Sequence, residues 1–309
     1  HRQLAQLPHV GVAMVDPELY PFQSRFAEIG GVRMHYLDEG RKGAETLVMV
    51  HGNPTWSFYF RDLIRGLRDE YRIVAPDHIG CGLSEKPGDD RYEYTLSRRV
   101  ADLEALLDKL ELKKDLTLVL HDWGGMIGMA YAARHPERVR RLVILNTACF
   151  GLPDGKGLPG SLKLSRTPLG SFLIRGLNAF CRGAARWCAV RRPLRPEVRA
   201  GYLSPYGNWD DRIAVLRFVQ DIPLGPEDPA FRTVKETEEK LGALAAVPMM
   251  ICWGGRDFVF DEDFLRGWER RFPNAAVHRF PDAGHYVLED AGVEILPLVR
   301  DFLKSNSLS

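Results

Sequence analysis

The 309-residue sequence predicts an α/β fold: a mostly parallel sheet with helices on both faces and an inserted helical cap. Short apolar runs of strand length recur along the chain, and segments with helical periodicity lie between them. This alternation is typical of a parallel sheet that is covered on both faces. One long segment, 151–230, interrupts the alternation with frequent Pro and Gly and no strand-like run, which predicts the insertion.

Six runs are predicted strands. The run VRMHYLD at 32–38 alternates apolar and polar residues, whereas the run at 45–51 is continuous, as expected for a strand buried on both faces. The other continuous runs lie at 72–77, 116–121, 141–146 and 248–253. Helical patterns occupy the segments between and after them, at about 57–69, 95–110, 124–135, 232–245, 261–272 and 289–304.

The carboxyl ends of the strands in such a sheet form one rim, where functional sites lie. Residues 51, 77, 122, 146 and 254–257 are therefore expected to share that rim. The predicted domain organisation is a core formed by 1–150 and 231–309, with residues 151–230 as the cap. The cap contains 12 Lys and Arg against 7 Asp and Glu, a balance of +5 that leaves −4 for the core.

Composition excludes several function classes. The net charge of +1 does not imply a nucleic-acid partner. No run approaches 18 apolar residues and the first 25 residues lack an apolar stretch, so neither a transmembrane segment nor a signal peptide is expected. The five cysteines have no CxxC spacing, which predicts reduced thiols in a cytoplasmic protein without a zinc site. No metal or cofactor is expected.

The segment VLHDWGG at 119–125 has the form of a nucleophile elbow, a sharp strand-to-helix turn that lifts one side chain clear of the backbone. Asp122 holds the nucleophile position, where the usual elbow carries Ser. The usual Gly two positions earlier is replaced here by Leu120. The alternative interpretation is that Asp122 caps the following helix, a role that suits Asp.

His285 and Asp257 follow later strand ends in the order nucleophile, acid, histidine, which matches the elbow arrangement. Asn146, after the preceding strand, cannot supply a charged partner. We therefore predict a triad of Asp122, His285 and Asp257. A surface loop histidine and a turn aspartate are the alternatives; Asp261, Asp263 and Asp282 are weaker candidates for the acid.

The loop HGNP at 51–54 is expected to supply a backbone N–H to an oxyanion hole, beside the N–H of Trp123. The side chains of Asn53 and Trp123 are neutral donors that suit a leaving halide or carboxylate. Core packing is the alternative for Trp123. The glycine-rich segment PDHIGCGLS at 76–84, which contains Asp77, is predicted to be a structural turn.

A carboxylate nucleophile suits displacement at a carbon that bears a good leaving group, and it forms an ester of Asp122. If His285, oriented by Asp257, activates water, the ester is hydrolysed and the enzyme resets. This chemistry predicts carbon–halogen bonds or epoxides as substrates. A strained β-lactone is a third candidate, attacked at its ring carbon or its carbonyl, and loss of CO2 would then release Asp122 without water.

The motifs HGNPTWSF, PDHIGCGLS, HDWGG, WGGRD and GHYVLED resemble the α/β-hydrolase superfamily, and within it the haloalkane dehalogenase group. The acid at Asp257 and the segments RFVQDIPL, RTPLG, LNAF and GHYVLEDAG resemble its branch of β-lactone decarboxylases of bacterial olefin biosynthesis. The resemblance implies an eight-stranded sheet and the roles given above for Asp122, His285, Asp257, Asn53 and Trp123. It also implies a cis-β-lactone with two long alkyl chains as substrate, a cis-alkene and CO2 as products, and association with the synthetase and reductase of the same pathway.

Apolar side chains in the cap fit a hydrophobic small-molecule substrate, although packing within the cap is the simpler interpretation of each. They are Leu162, Leu164, Leu169, Phe172, Leu173, Ile174, Leu177, Phe180 and Trp187. Arg175, Arg182 and Arg186 fall at helical spacing on one side, which indicates a solvated face or a contact with a partner or membrane.

Three rival functions remain at this point. A haloalkane dehalogenase uses the same five site residues. An epoxide hydrolase would need cap tyrosines such as Tyr202 and Tyr206, and Asn53 argues against it because such enzymes usually have an apolar or aromatic residue there. A ligand-binding receptor on a hydrolase scaffold is the non-enzymatic alternative.

Overall fold

The computed structural model describes residues 15–153, 155–156 and 160–307. One eight-stranded sheet runs through it in the order β1-β2-β4-β3-β5-β6-β7-β8. The strands are Arg25–Ile29 (β1), Val32–Gly40 (β2), Thr46–Val50 (β3), Arg72–Pro76 (β4), Leu116–Asp122 (β5), Val139–Thr147 (β6), Met249–Gly254 (β7) and Ala276–Phe280 (β8). Strands β4, β3, β5, β6, β7 and β8 run parallel, and β2 joins β1 and β4 in antiparallel pairs. The predicted α/β fold with a mostly parallel eight-stranded sheet is confirmed.

All six predicted strands are present, within a few residues of their expected ends. Every residue of β3, β5 and β7 is buried, which explains why these strands are continuous apolar runs. The two strands that patterning missed, β1 and β8, are the two edges of the sheet. Strand β8 has only one buried residue, Phe280, so its sequence lacks the continuous apolar character of the central strands.

The helices cover both faces of the sheet. In the described residues they are Arg61–Leu67 (α1), Leu96–Lys109 (α2), Trp123–Arg134 (α3), Gly160–Ser165 (α4), Pro168–Ser171 (α5), Ala179–Trp187 (α6), Pro196–Leu203 (α7), Ile213–Gln220 (α8), Pro229–Lys240 (α9), Glu262–Arg271 (α10) and Val287–Ser305 (α11). Shorter turns are the 3₁₀ segments Ser57–Phe60, Pro136–Arg138, Asp210–Arg212 and Leu241–Leu244, and the π-helical turn Phe172–Gly176. No helix in the described ranges is both long and apolar enough to cross a membrane.

The predicted helices match the observed ones with local differences. The segment predicted at 57–69 divides into the 3₁₀ turn Ser57–Phe60 followed by α1. The helix predicted at 95–110 is α2, and the Thr95 side chain caps it by accepting a hydrogen bond from the Arg98 backbone N–H. Sequence periodicity therefore located the six helical segments outside 151–230 to within a few residues.

Helices α4 to α8 lie between β6 and α9 in the chain, and residues of this segment contact the loop after β3. The indole N–H of Trp56 donates to the Gly201 carbonyl at 3.1 Å. The Tyr206 hydroxyl donates to the Thr55 carbonyl at 3.3 Å. These hydrogen bonds join the segment predicted as a cap to the core. The division at 151–230 stays a prediction, and residues 1–14, 154, 157–159 and 308–309 of the predicted units lie outside the described residues.

A buried ion pair also fastens this segment to the core. The Arg61 guanidinium donates to both carboxylate oxygens of Glu289, at 2.6 and 2.9 Å, and the Tyr202 hydroxyl of α7 donates to the same carboxylate. Both side chains of the pair are 10% exposed or less. The carboxylate at 289 therefore holds Arg61 together with Tyr202 of the segment predicted as the cap.

Replacing Glu289 with alanine is expected to lower the free energy of unfolding by about 3 kcal/mol, because it leaves the Arg61 guanidinium buried without its counter-charge. Urea titration followed by circular dichroism measures the change. The matched control is Glu294→Ala on the same helix, where a half-exposed carboxylate pairs with Arg191 and a loss of less than about 1 kcal/mol is expected. Equal losses in the two variants would contradict the assignment.

Candidate active site

Asp122 lies at the sharp turn between β5 and α3. It is the last residue of the strand, with φ 52° and ψ −128°, a backbone conformation that non-glycine residues rarely adopt. Its side chain makes no hydrogen bond to the first turn of α3, so Asp122 is not the side-chain helix cap that was the alternative interpretation. The strained turn instead presents the carboxylate at the carboxyl end of the sheet.

Three glycines allow the elbow to form. A β-carbon at Gly52 would overlap the Asp122 side chain, and one at Gly124 would overlap the Val50 carbonyl. A β-carbon at Gly125 would collide with the Thr147 side chain of β6. The small residues around Asp122 therefore let helix and strands approach, as the glycines of the VLHDWGG pattern indicated.

The structure brings the three predicted triad residues together. Nε2 of His285 lies 3.2 Å from Oδ1 of Asp122, and Nδ1 of His285 lies 2.7 Å from Oδ2 of Asp257. All three side chains are buried. The imidazole thus bridges two carboxylates, one at the elbow and one after β7, in the arrangement that a nucleophile, a base and an orienting acid require.

The weaker candidates for the orienting acid are engaged elsewhere. Asp261 caps α10 by accepting from the Asp263 backbone N–H at 3.1 Å. The Asp263 carboxylate pairs with Arg266, and Asp282 pairs with Arg191 at 2.8 Å. Neither distance nor hydrogen bonding links any of them to His285, which leaves Asp257 as the acid that contacts the imidazole.

Asn146 has a positioning role that the sequence did not reveal. Its side-chain N–H donates to Oδ2 of Asp257 and to the Gly254 carbonyl, both at 3.0 Å, and its Oδ1 accepts from the Gly254 N–H at 2.7 Å. The other Asp257 oxygen accepts from the Val259 N–H at 2.6 Å. Sequence reasoning placed Asn146 on the rim but only excluded it as the charged partner of His285. In the structure its amide holds the Asp257 carboxylate in place.

His121, directly before the elbow, supports the loop that carries His285. Its Nε2 donates to the His285 carbonyl at 2.8 Å, and its ring stacks on Tyr59 with centroids 4.2 Å apart. Burial and the neighbouring His285 lower the pKa of His121 to about 3, so this imidazole is neutral at physiological pH. Its position beside Asp122 in sequence was the only available signal for this role.

The electrostatics of the triad favour an ion pair in the resting enzyme. Burial alone lowers the pKa of His285, but the carboxylates of Asp257 and Asp122 outweigh it and raise that pKa to about 10. Burial likewise opposes ionisation of Asp122, yet the hydrogen bond and charge of His285 hold its pKa below the usual value. Asp122 is therefore a carboxylate and His285 an imidazolium near neutral pH.

Asn53 and Trp123, the two predicted donors, flank Asp122 in different ways. The Asn53 backbone N–H donates to Oδ2 of Asp122 at 2.8 Å, as expected for an oxyanion hole. The Asn53 side-chain N–H donates to the Val215 carbonyl of α8 at 3.1 Å, so it also joins the loop after β3 to the segment predicted as the cap. The Trp123 ring packs on Phe218 at 5.3 Å, and its indole N–H has no acceptor among the described residues.

The turn at 76–84 is structural, as predicted. The buried Asp77 carboxylate bonds the His35 imidazole at 2.8 Å and accepts from the backbone N–H groups of Ser57 at 2.7 Å and Leu83 at 2.9 Å. Burial opposes ionisation, but His35 and these donors lower the pKa of Asp77 to about 2. This carboxylate therefore ties the His35 side chain of β2 to the loops that contain Ser57 and Leu83.

The two tyrosines that an epoxide hydrolase would need are committed to other bonds. The Tyr202 hydroxyl donates to Glu289, and the Tyr206 hydroxyl donates to the Thr55 carbonyl. Neither hydroxyl bonds Asp122. The geometry therefore supplies no acid for an epoxide oxygen from these residues.

Removing the charge at position 122 is expected to lower the pKa of His285. In the folded protein this pKa lies near 10, above the usual value of about 6.5, so the imidazolium persists between these two pH values. In Asp122→Asn one of the two stabilising carboxylates is gone, and His285 should lose its proton at lower pH. Titration of ¹⁵N-histidine-labelled protein by NMR measures both values; an unchanged pKa would contradict the pairing.

Known proteins share this chain's sequence and fold. A family profile described as alpha/beta hydrolase fold matches residues 45–292. A Shewanella oneidensis protein named cis-3-alkyl-4-alkyloxetan-2-one decarboxylase is 51% identical over 286 residues, covering 92% of this chain and 89% of that protein. A Xanthomonas campestris pv. campestris protein of the same name is 47% identical over 284 residues, covering 90% and 94%. The crystal structure of haloalkane dehalogenase DatA from Agrobacterium tumefaciens C58 matches with a TM-score of 0.81 and 27% identity, covering 92% and 97%. The resemblance inferred from the motifs is confirmed.

Proposed function

Because the chain belongs to the α/β-hydrolase family and is an enzyme of that superfamily, we propose that it converts a cis-3,4-dialkyl β-lactone to a cis-alkene and CO2. The supporting structural observation is the buried carboxylate of Asp122 at the elbow, 3.2 Å from the His285 imidazole. A carboxylate at this position forms an ester with a carbon that carries a good leaving group. The names of the relatives at 51% and 47% identity support a β-lactone over a haloalkane as the substrate.

In the proposed first step, Asp122 attacks the alkyl-bearing ring carbon that is bonded to the lactone oxygen. A bond forms between Oδ1 of Asp122 and this carbon, while the carbon–oxygen bond of the strained ring breaks and leaves a carboxylate on the neighbouring carbon. Oδ2, held by the Asn53 N–H at 2.8 Å, becomes the carbonyl oxygen of the ester. The indole N–H of Trp123 faces no protein acceptor among the described residues and serves the departing carboxylate.

The second step needs neither water nor a proton. The electron pair of the bond to the carboxylate carbon forms the double bond, CO2 leaves, and the bond to Asp122 breaks. His285, a cation held by Asp257, stabilises the carboxylate that returns at Asp122. Inversion in the first step followed by an anti elimination retains the relative placement of the two alkyl groups, so a cis-lactone gives a cis-alkene.

Haloalkane dehalogenase is the second candidate, since the same residues serve it and the fold of DatA matches. In that reaction the ester is hydrolysed. Alkylation of Asp122 removes one negative charge from beside His285, which lowers the pKa of the imidazole and lets it act as a base toward water. The same site thus supports hydrolysis of the ester or decarboxylation. An intermediate derived from a β-lactone carries a carboxylate and can lose CO2, whereas one derived from a haloalkane cannot and is hydrolysed.

Product analysis tests the proposal. The enzyme is supplied separately with a synthetic cis-3,4-dialkyl oxetan-2-one and with 1-bromohexane, and alkene is measured by gas chromatography while bromide is measured in the buffer. Alkene from the first substrate supports the proposal. Bromide without alkene would assign the dehalogenase activity, and turnover of neither would favour the ligand-binding alternative.

The proposal extends to the setting of the enzyme. We propose a cytoplasmic location and an assembly with the synthetase and the reductase of the same pathway, as the family resemblance implies. Co-purification of the tagged chain with these two enzymes from its native host, analysed by mass spectrometry, tests the assembly.

A further inference from the structure

The cap carries a concentrated set of exposed apolar side chains. Leu169 is 59% exposed, Phe172 52%, Leu177 51% and Trp187 62%. Leu169, Phe172 and Trp187 lie on α5, the turn Phe172–Gly176 and α6, and Leu177 directly follows the turn, which packs against both helices. We call these four residues and the arginines Arg182 and Arg186 the cap outer face. Large apolar side chains this exposed and this close in the chain mark an interaction surface.

Helix α6 shows how the outer face is built. Its inward side consists of Cys181 and Ala185, four residues apart and both buried. Arg182 and Arg186 have the same spacing and are exposed, with Trp187 beside them. A helix that is apolar inside and presents arginines and a tryptophan outside has the composition of a membrane-interface element.

The arginines of this region fall into two sets, one paired with carboxylates and one not. Arg166, Arg175 and Arg195 pair with Asp228, Asp210 and Glu197. In contrast, no ion pair within the described ranges involves a second set of exposed arginines: Arg182, Arg186, Arg192 and Arg199. With the +5 balance of 151–230, the cap therefore projects positive charge next to its apolar side chains.

We propose that the cap outer face docks on a lipid surface with anionic headgroups, from which the enzyme takes up its dialkyl substrate. Trp187, Phe172 and the leucines would enter the headgroup–acyl boundary, while Arg182 and Arg186 pair with phosphates. The docking is inferred from the exposed residues of the cap outer face alone. The uptake step rests on the proposed function, whose substrate has two long alkyl chains and therefore partitions into lipid.

Vesicle sedimentation tests the docking without any substrate. Wild-type protein should bind vesicles of three parts phosphatidylcholine to one part phosphatidylglycerol, bind pure phosphatidylcholine vesicles weakly, and be released by 1 M salt. In Arg182→Glu/Arg186→Glu the partition coefficient should fall by roughly 25-fold or more, about fivefold for each arginine lost. The matched control is Arg140→Glu/Arg270→Glu, which makes the same charge change at exposed core arginines and should bind as wild type.

Apolar insertion has its own readout. Phe172→Ser should weaken vesicle binding, whereas Val293→Ser, at a 90% exposed position on α11, should not. Equal binding by the outer-face and control variants, or no binding of wild type to anionic vesicles, would overturn the proposal. So would self-association through the same residues without lipid, seen by light scattering, which would assign the face to a second copy of the chain.

Two further assays separate this inference from the proposed function. Vesicle binding by Asp122→Asn should equal that of wild type, so docking is measured in an enzyme without its nucleophile. With lactone dissolved in vesicles, Arg182→Glu/Arg186→Glu should raise KM and leave kcat unchanged, and with a short water-soluble β-lactone both constants should match wild type. Failure of catalysis with intact binding would contradict only the proposed function.

Discussion

Replacing Asp122 with asparagine is expected to lower alkene formation from a cis-β-lactone by about 10⁴-fold or more, because the amide cannot form the ester on which both steps depend. The side chain keeps its shape, and the Asn53 N–H still finds an oxygen to bond. The fold should therefore persist, as judged by circular dichroism. Gas chromatography of the product measures the loss.

The matched control is Asp282→Asn, at the competing acid whose carboxylate pairs with Arg191 at the surface. This variant should retain wild-type activity. Undiminished alkene production by Asp122→Asn would refute the assignment of the nucleophile, and an equal loss in the two variants would indicate a general effect of removing charge.

The central sheet and its rim were predictable because burial on both faces leaves a strong signal. Strands β3, β5 and β7 are buried throughout, so their sequences are apolar runs, and the polar residues that follow them stand out. Asp122 and Asp257 were selected as candidate site residues in this way. The order of the three residues in the chain then separated His285 from the other histidines.

The edge strands and the supporting residues left a weaker signal. An edge strand such as β8 faces solvent and needs no continuous apolar sequence. Asn146 and His121 act through hydrogen bonds to Asp257 and to the His285 carbonyl, partners 111 and 164 positions away in the chain. Such contacts form only when distant parts of the chain fold together, so residue type and local spacing do not predict them.

The Asn53 side chain illustrates the same limit. Its position after β3 predicted a donor to an anion beside Asp122, and its backbone N–H does bond that carboxylate. The side-chain amide, however, donates to the Val215 carbonyl in the cap. Val215 is far from Asn53 in the chain, so local sequence gives no sign that this carbonyl accepts the Asn53 side-chain hydrogen bond. Only the folded structure reveals the contact.

Replacing His285 with glutamine is expected to separate the two chemistries of the site. With a bromoalkane, the ester on Asp122 needs a base to activate water, so the variant should accumulate a covalent alkyl adduct and turn over at least about 10²-fold more slowly. Intact-protein mass spectrometry detects the added alkyl group. The control is His278→Gln on the edge strand β8, which should show no adduct.

With a cis-β-lactone, the same variant should make alkene slowly and carry no durable adduct. Decarboxylation expels Asp122 without water, and the loss of the imidazolium only weakens stabilisation of the returning carboxylate. A persistent adduct from the lactone would show that water resolves this intermediate as well. Turnover of the wild type in H₂¹⁸O gives an independent answer, since hydrolysis places ¹⁸O in the Asp122 carboxylate and decarboxylation leaves it unlabelled. An unlabelled Asp122 carboxylate would show that the enzyme acts as a lyase on the lactone although its site resembles that of a hydrolase. The cause would then be the carboxylate of the substrate and not a change in the protein.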